Sequence, residues 1–167
     1  IVVEWLRDGH PTNLGAASGI VAGLVAITPA AGFVSGASPI WIGLIAGVVC
    51  CYAVRLKTKL GYDDALDVVG VHFVGGLVGS LLIGFFANPE FFGGAFMKGI
   101  FYGGDIELLL EQALANGAAI AWSFGVTLAI MLVLKKTIGV RVDQEAEATG
   151  LDLALHGETA YHNGGLG

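Results

Sequence analysis

One histidine, His72, interrupts an otherwise uncharged apolar run from Val68 to Pro89. A neutral imidazole carries one N–H donor and one acceptor nitrogen. Removal from water penalises the charged ring, so an imidazole in an apolar passage favours its neutral form. Such a group suits a small neutral polar solute or a relayed proton better than a bare cation. An ionisable side chain at membrane depth is a functional candidate by default; the alternative is a structural histidine bonded to a neighbouring helix. Val68 lies four residues before His72 and Gly76 four after, on one helical face. Metal or haem ligation finds little support, because Cys50 and Cys51 belong to a different apolar stretch and no second histidine lies inside one. No cofactor is implied. Nor does a Ser/His or paired-Asp constellation within the apolar stretches point to an enzyme.

Three carboxylates, Asp63, Asp64 and Asp67, precede the run that holds His72. At a helix N-terminus carboxylates accept orphan N–H groups and suit the dipole. Capping by Asp64 and Asp67 is therefore the leading reading, and guidance of cations at a cytoplasmic mouth is the second. Ser18 sits in a glycine-rich stretch, where it could approach the wall of a passage or bond back to its own helix. His156 and Glu158 have H-x-E spacing, but two ligands do not make a metal site.

These groups need elements to hold them. The chain has 167 residues, 55% apolar and 13% charged, against about 25% charged in an ordinary soluble domain. Eight Lys and Arg against 14 Asp and Glu leave a net charge of −6, the wrong sign for a nucleic-acid binder. The adjacent pair Cys50–Cys51 implies no disulfide framework. The expected fold class is an all-α polytopic membrane protein in a lipid bilayer. No Asp, Glu, Lys, Arg or His occurs from Pro11 to Val54, nor a charged residue from Gln112 to Leu134. A spanning helix needs about 20 apolar residues, and Ser35 to Pro39 break the first stretch near its middle. We expect spans at about 12–34, 40–54, 67–87 and 113–134, together a transmembrane part at 12–134. Residues 1–11 read as the cytoplasmic end of a preceding segment and 135–167 as a cytoplasmic tail. The opening Ile1–Arg7 looks like the end of an apolar helix followed by interfacial Trp5, so the chain reads as a fragment.

Four spans put both ends on one side. That side carries Arg7, Arg55, Lys57, Lys59, Lys135, Lys136 and Arg141, leaving only Lys98 of the eight basic residues on the other. The positive-inside rule then places both ends in the cytoplasm. Glycines recur at spacing four: Gly15, Gly19 and Gly23, then Gly43 and Gly47, then Gly75 and Gly79, and Gly117 with Ala121 and Gly125. Each span is expected to offer such a small-residue stripe to a close neighbour. The segment 88–111, with Phe91, Phe92, Phe96, Phe101 and Tyr102, is expected to lie at the outer headgroups.

The run Asp67-Val68-Val69-Gly70-Val71-His72-Phe73-Val74-Gly75-Gly76 resembles the D-V-F-G-V-H-G-V-G-G signature of the ammonium transporter (Amt/Mep/Rh) family. Residues Leu14 to Val34 resemble another segment of that family. Gly150-Leu151-Asp152, His156-Gly157-Glu158 and Tyr161 match its tail motif, G-L-D-x-x-x-H-G-E-x-A-Y. Val69 and Phe73 depart from the signature, standing where the family often has Phe and Gly. The resemblance implies the last four of about eleven transmembrane helices plus the cytoplasmic C-terminal tail. It implies a homotrimer in the cell membrane, each subunit with a narrow hydrophobic pore that moves ammonium or ammonia past two stacked histidines. By motif position His72 is the second of that pair, with Val68 and, less directly, Ser18 along the pore. The resemblance also implies a regulatory tail that meets a PII-type signalling protein. An ammonium sensor signalling through the same tail is the alternative.

Overall fold

Charge-free stretches become helices wherever capping and turn chemistry permit, and the computed structural model shows where those signals lie. It describes residues 1–94 and 96–159. The described residues fall into two compact units, one of Ile1–Ala119 and one that begins at Ile120.

In the first unit, α1 (Val2–Asp8) ends on Gly9, whose φ of 80° only glycine adopts freely. The next helix, α2 (Asn13–Ala30), starts where the Thr12 hydroxyl accepts the Gly15 N–H at 2.9 Å. Four turns later Pro29 stands in its last turn, and the chain breaks through Gly36 before α3 (Ser38–Ala53), which begins with Pro39 in its first turn. A short α4 (Leu56–Leu60) stops at Gly61. The third apolar run divides into a π-helical segment, Val68–Phe73, and α5 (Val74–Phe86). After α6 (Pro89–Phe92) and a 3-10 turn at Ile100–Tyr102 comes α7 (Glu107–Thr137).

Among the described residues four stretches are long and apolar enough to cross a membrane: Asn13–Ala30, Ser38–Leu60, Val68–Phe86 and Glu107–Thr137. The fold is all-helical; among the described residues the sole β-type pairing is one antiparallel bridge, Val34 to Ala87. The fourth span-length helix, α7, starts inside the segment expected to be an outer loop. Asp105 Oδ1 accepts the Glu107 N–H at 2.8 Å, and Glu107 suits the dipole of the first turn. Charge therefore marks the rim of that helix, not its end.

Packing of the first unit centres on α5 against α2, with α3 beside both. The glycine stripes behave differently from expectation. Gly19, Gly23, Gly43 and Gly47 meet nothing within 4 Å. The buried face of α2 is made of alanines at spacing four, Ala22, Ala26 and Ala30, and that of α3 of Ile42, Ala46, Cys50 and Ala53. In α2, Gly15 is pressed against the Glu4 carboxylate, and the third span presses its glycines into neighbouring helices. A Cβ on Gly79 would lie 1.9 Å from the Ala26 carbonyl oxygen, and one on Gly84 would lie 2.7 Å from Leu109 Cα. Close approach thus places a glycine of the third span on the backbone of its partner, while Gly19, Gly23, Gly43 and Gly47 face open space.

Aromatic groups close the end of the bundle formed by the 33–38 and 85–102 segments. Phe96 stands edge-on to Phe33 with centroids 5.2 Å apart, and Phe101 packs against Phe85 and Phe86. Ser38 Oγ and Tyr102 Oη lie 3.1 Å apart, and Asn88 Nδ2 donates to Ser35 Oγ at 2.9 Å.

The second unit carries α8 (Gln144–Thr149), capped by Asp143, which accepts the Ala146 N–H at 2.7 Å. Arg141 pairs with Glu147 at 2.8 Å.

Gly79→Val is expected to destabilise the bundle by about 3 kcal/mol, because the backbone-to-backbone contact with Ala26 leaves no room to repack. Thermal unfolding in detergent measures it.

Candidate functional site

The third span starts in an unusual way. Asp67 has φ 54° and ψ 34°, the left-handed region, and is the only non-glycine residue with positive φ among those described. Asp and Asn tolerate this conformation better than most residues, because their short polar side chains bond locally. The cap itself comes from Asp64, whose Oδ1 and Oδ2 accept the N–H groups of Val68 and Val69 at 2.8 and 2.9 Å. Asp67 makes no capping bond. Its carboxylate pairs with Lys57 Nζ at 2.6 Å, and the same ammonium donates to the Asp64 carbonyl at 3.0 Å. The two carboxylates therefore divide the work: Asp64 holds the helix start and Asp67 holds a lysine.

From that start the π-helical turns carry Val68 to Phe73. Gly70 and Val71 form the buried face. A Cβ on Gly70 would lie 2.7 Å from Val54 Cα, and Cys50 Sγ donates to the Val71 carbonyl at 3.8 Å. His72 is exposed, and Val68, one turn before it, is 52% exposed. The structure thus sets two of the three expected pore residues, His72 and Val68, on an open face of the third span. Ser18 is half-buried on α2. Two cavities lie elsewhere and reach neither His72 nor Ser18. One, of about 620 Å³, lies between Trp41, Ile45, Phe86 and Phe101; the other, of about 250 Å³, lies between Lys57, Tyr62, Asp63 and Asp64. Among the described residues, neither cavity forms an enclosed passage past His72.

Two further polar clusters went unread in the sequence. Where α1 meets the end of α3, Asp8 bridges Arg7 and Arg55 at 2.7 and 2.6 Å, while Arg7 donates to the Cys51 carbonyl and lies over the Tyr52 ring, 5.5 Å from its centroid. Hydrogen bonding from Arg7, helped by Arg55, lowers the Asp8 carboxyl from 3.8 to about 2. In the same region the Thr12 amide and hydroxyl hold the Glu4 carboxyl below its ordinary value. Deeper in the bundle, Ser80 Oγ donates to Gln112 Oε1, and Asn116 Nδ2 donates to Ser80 Oγ, both at 2.9 Å. The signal for this second cluster was present: Gln112 and Asn116 are polar residues one turn apart in an uncharged run.

In the second unit the tail residues Gly150, Leu151, Asp152, His156, Gly157 and Glu158 fold into one short turn. Gly150 has φ 101° and Gly157 φ 66°, both glycine conformations. Between them lies the π-helical segment Asp152–His156, and the Glu158 N–H returns to the Asp152 carbonyl at 3.2 Å. Tyr161 lies outside the described residues.

The Asp8 carboxylate contributes stability that is present above its ordinary value of 3.8 and lost as pH falls through about 2. Asp8→Asn is therefore expected to lower the Tm at neutral pH, with the gap to the parent closing as pH falls from about 4 to about 2. Thermal melts across that range provide the check.

The chain matches the family described as the Ammonium Transporter Family over residues 1–161. It is 52% identical over 165 residues to an "Ammonium transporter" of Mycobacterium tuberculosis (strain ATCC 25618 / H37Rv), covering 96% of this chain and 35% of that protein. To an "Ammonium transporter" of Bacillus subtilis (strain 168) it is 46% identical, covering 98% of this chain and 40% of the relative. Among solved structures it is similar to Candida albicans Mep2, with a TM-score of 0.78 and 34% identity over 86% of this chain and 33% of that one. A structure titled "Sensor Amt Protein" matches with a TM-score of 0.77 and 30% identity over 92% of this chain and 37% of that chain. The chain thus spans about a third to two fifths of the length of these relatives.

Proposed function

This chain belongs to the ammonium transporter family, and from that premise we propose that it forms part of a membrane pathway for ammonium or ammonia, with His72 on the pathway wall. One observation carries the reading: the only ionisable side chain in its apolar run stands on an open face of the third span, at the position the family signature gives its histidine. The chain spans about a third of its relatives' length. We take the open face of Val68 and His72 as the surface that the rest of an intact transporter covers, bringing the first histidine of the pair opposite His72. Ammonia both donates and accepts hydrogen bonds and carries no charge. A neutral imidazole binds it weakly, and weak binding permits release. Ammonium entering the same passage would lose its hydration, so it sheds its proton first. Ser18 is a wall residue of the same passage on α2, and Asp64 and Asp67 sit at its cytoplasmic mouth.

The domain organisation is a transmembrane part at 12–134 in the cell membrane and a cytoplasmic tail at 135–167, both ends on the side rich in Lys and Arg. The assembly is a homotrimer of transporters with no catalytic centre. Gly150, Leu151, Asp152, His156, Gly157, Glu158 and Tyr161 form a regulatory tail that meets a PII-type protein. Its compact turn between Gly150 and Gly157 gives such a contact a fixed shape. A second reading is an ammonium sensor, favoured by the similarity to a structure with that title; there the same tail reports occupancy of the passage.

In the intact transporter, His72→Ala is expected to lower ammonium flux, or its discrimination over other cations, by about tenfold, the loss of about one hydrogen bond. Flux into proteoliposomes measures it, and unchanged flux and discrimination remove His72 from the pathway. Deletion of Gly150–Tyr161 is expected to change both flux and PII co-purification; a deletion that alters neither ends the regulatory reading of the tail.

A further inference from the structure

Between the end of α3 and the third span, a short relay of polar contacts ends one helical turn from His72. Lys57 is its hub, holding the Asp67 carboxylate at 2.6 Å and the Asp64 carbonyl at 3.0 Å. Through these bonds one ammonium fixes the residue whose carboxylate caps Val68 and Val69, and also the residue that turns left-handed at φ 54°. A left-handed conformation costs an L-residue on the order of 1 kcal/mol or more and persists where its surroundings hold it. Lys57 is partly buried and comes from a different element, α4, so the hold is tertiary.

The turns beyond Asp67 make that hold consequential. From Val68 to Phe73 they are π-helical, each closing one residue later than an α-turn. Two anchors hold them. Within the segment Gly70 packs on the Val54 backbone, and just beyond it Gly75 and Gly79 pack on α2. With both anchors fixed, the extra residue of the π-turn decides which side chains point inward. One residue of register in a helix is about 100° of rotation. Reversion to α-helical register would swing His72 toward the place of a neighbour.

We propose that Lys57 is a positioning residue: its bonds to Asp67 and Asp64 hold the left-handed start of the third span, and that start sets the π-helical register that fixes the direction in which His72 faces. The link to transport rests on the pathway reading of His72; the link to geometry does not.

The test uses the intact transporter in lipid bilayers with ¹⁵N-labelled histidine. Solid-state NMR reads the His72 ring signals, assigned by their loss in His72→Ala, beside ammonium flux into proteoliposomes. Lys57→Gln is expected to shift or split the His72 ring signals and to lower flux about tenfold, while Lys57→Arg restores both. Should Lys57→Gln fail to fold, Asp67 supplies the parallel pair. Asp67→Gly accepts the left-handed backbone without strain and is expected to leave the ring signals in place, whereas Asp67→Ala moves them. Ring signals unchanged in Lys57→Gln, or moved equally by Asp67→Gly and Asp67→Ala, overturn the proposal. If His72→Ala leaves flux intact while Lys57→Gln still moves the ring, the pathway reading fails and the positioning role stands.

Discussion

The contact on which the rest depends is backbone against backbone: Gly79 of α5 on the Ala26 carbonyl of α2. Lipid tails are as apolar as leucine, so burial of apolar side chains does little to join helices in a bilayer. Close approach has to supply the attraction through dispersion and the absence of a side chain. The alanine face of α2 and the glycines of α5 meet this condition, and α3 completes the group through Ile42, Ala46 and Cys50. Once α5 is fixed on α2, the position of the preceding turns is set at one end. Gly70 against Val54 sets it within those turns.

Polar groups then define the rims. On the side rich in lysine and arginine, Arg7, Asp8 and Arg55 form one network and Lys57, Asp64 and Asp67 another. At the opposite end lie the neutral pairs Ser38 with Tyr102 and Ser35 with Asn88, packed aromatic rings, and one ion pair, Lys98 with Glu90. The charged networks are larger at the rim that holds more of the basic residues. Between the rims lies the Ser80–Gln112–Asn116 cluster, which ties α5 to the first turns of α7. Its three side chains bond one another, which lowers the cost of carrying them inside an apolar bundle.

Much of this was legible in the sequence, for physical reasons that differ between elements. The spans could be read because a charge inside lipid is costly, so stretches free of charge announce themselves. The division between α2 and α3 could be read from Ser35, Gly36 and Pro39. Their inward faces could not, because glycine and alanine both count as small and only the packing tells which touches. Asp64 and Asp67 could not be told apart, since both precede the helix and the distinction is the backbone dihedral at Asp67. The π-helical turns leave no trace in a run of valine and glycine. Nor did Lys57 stand out from its neighbours Arg55 and Lys59, because its role depends on a partner ten residues away. The histidine was legible as the ionisable residue of the third apolar run; the open face on which it stands was not.

The most direct measurement of the central claim is a high-resolution density map of the intact transporter in a lipid nanodisc. The account predicts the His72 ring facing a narrow, apolar, water-poor passage, enclosed by other helices, with Val68 along the same wall. A ring that faces the acyl chains, or packs between helices away from any passage, contradicts it.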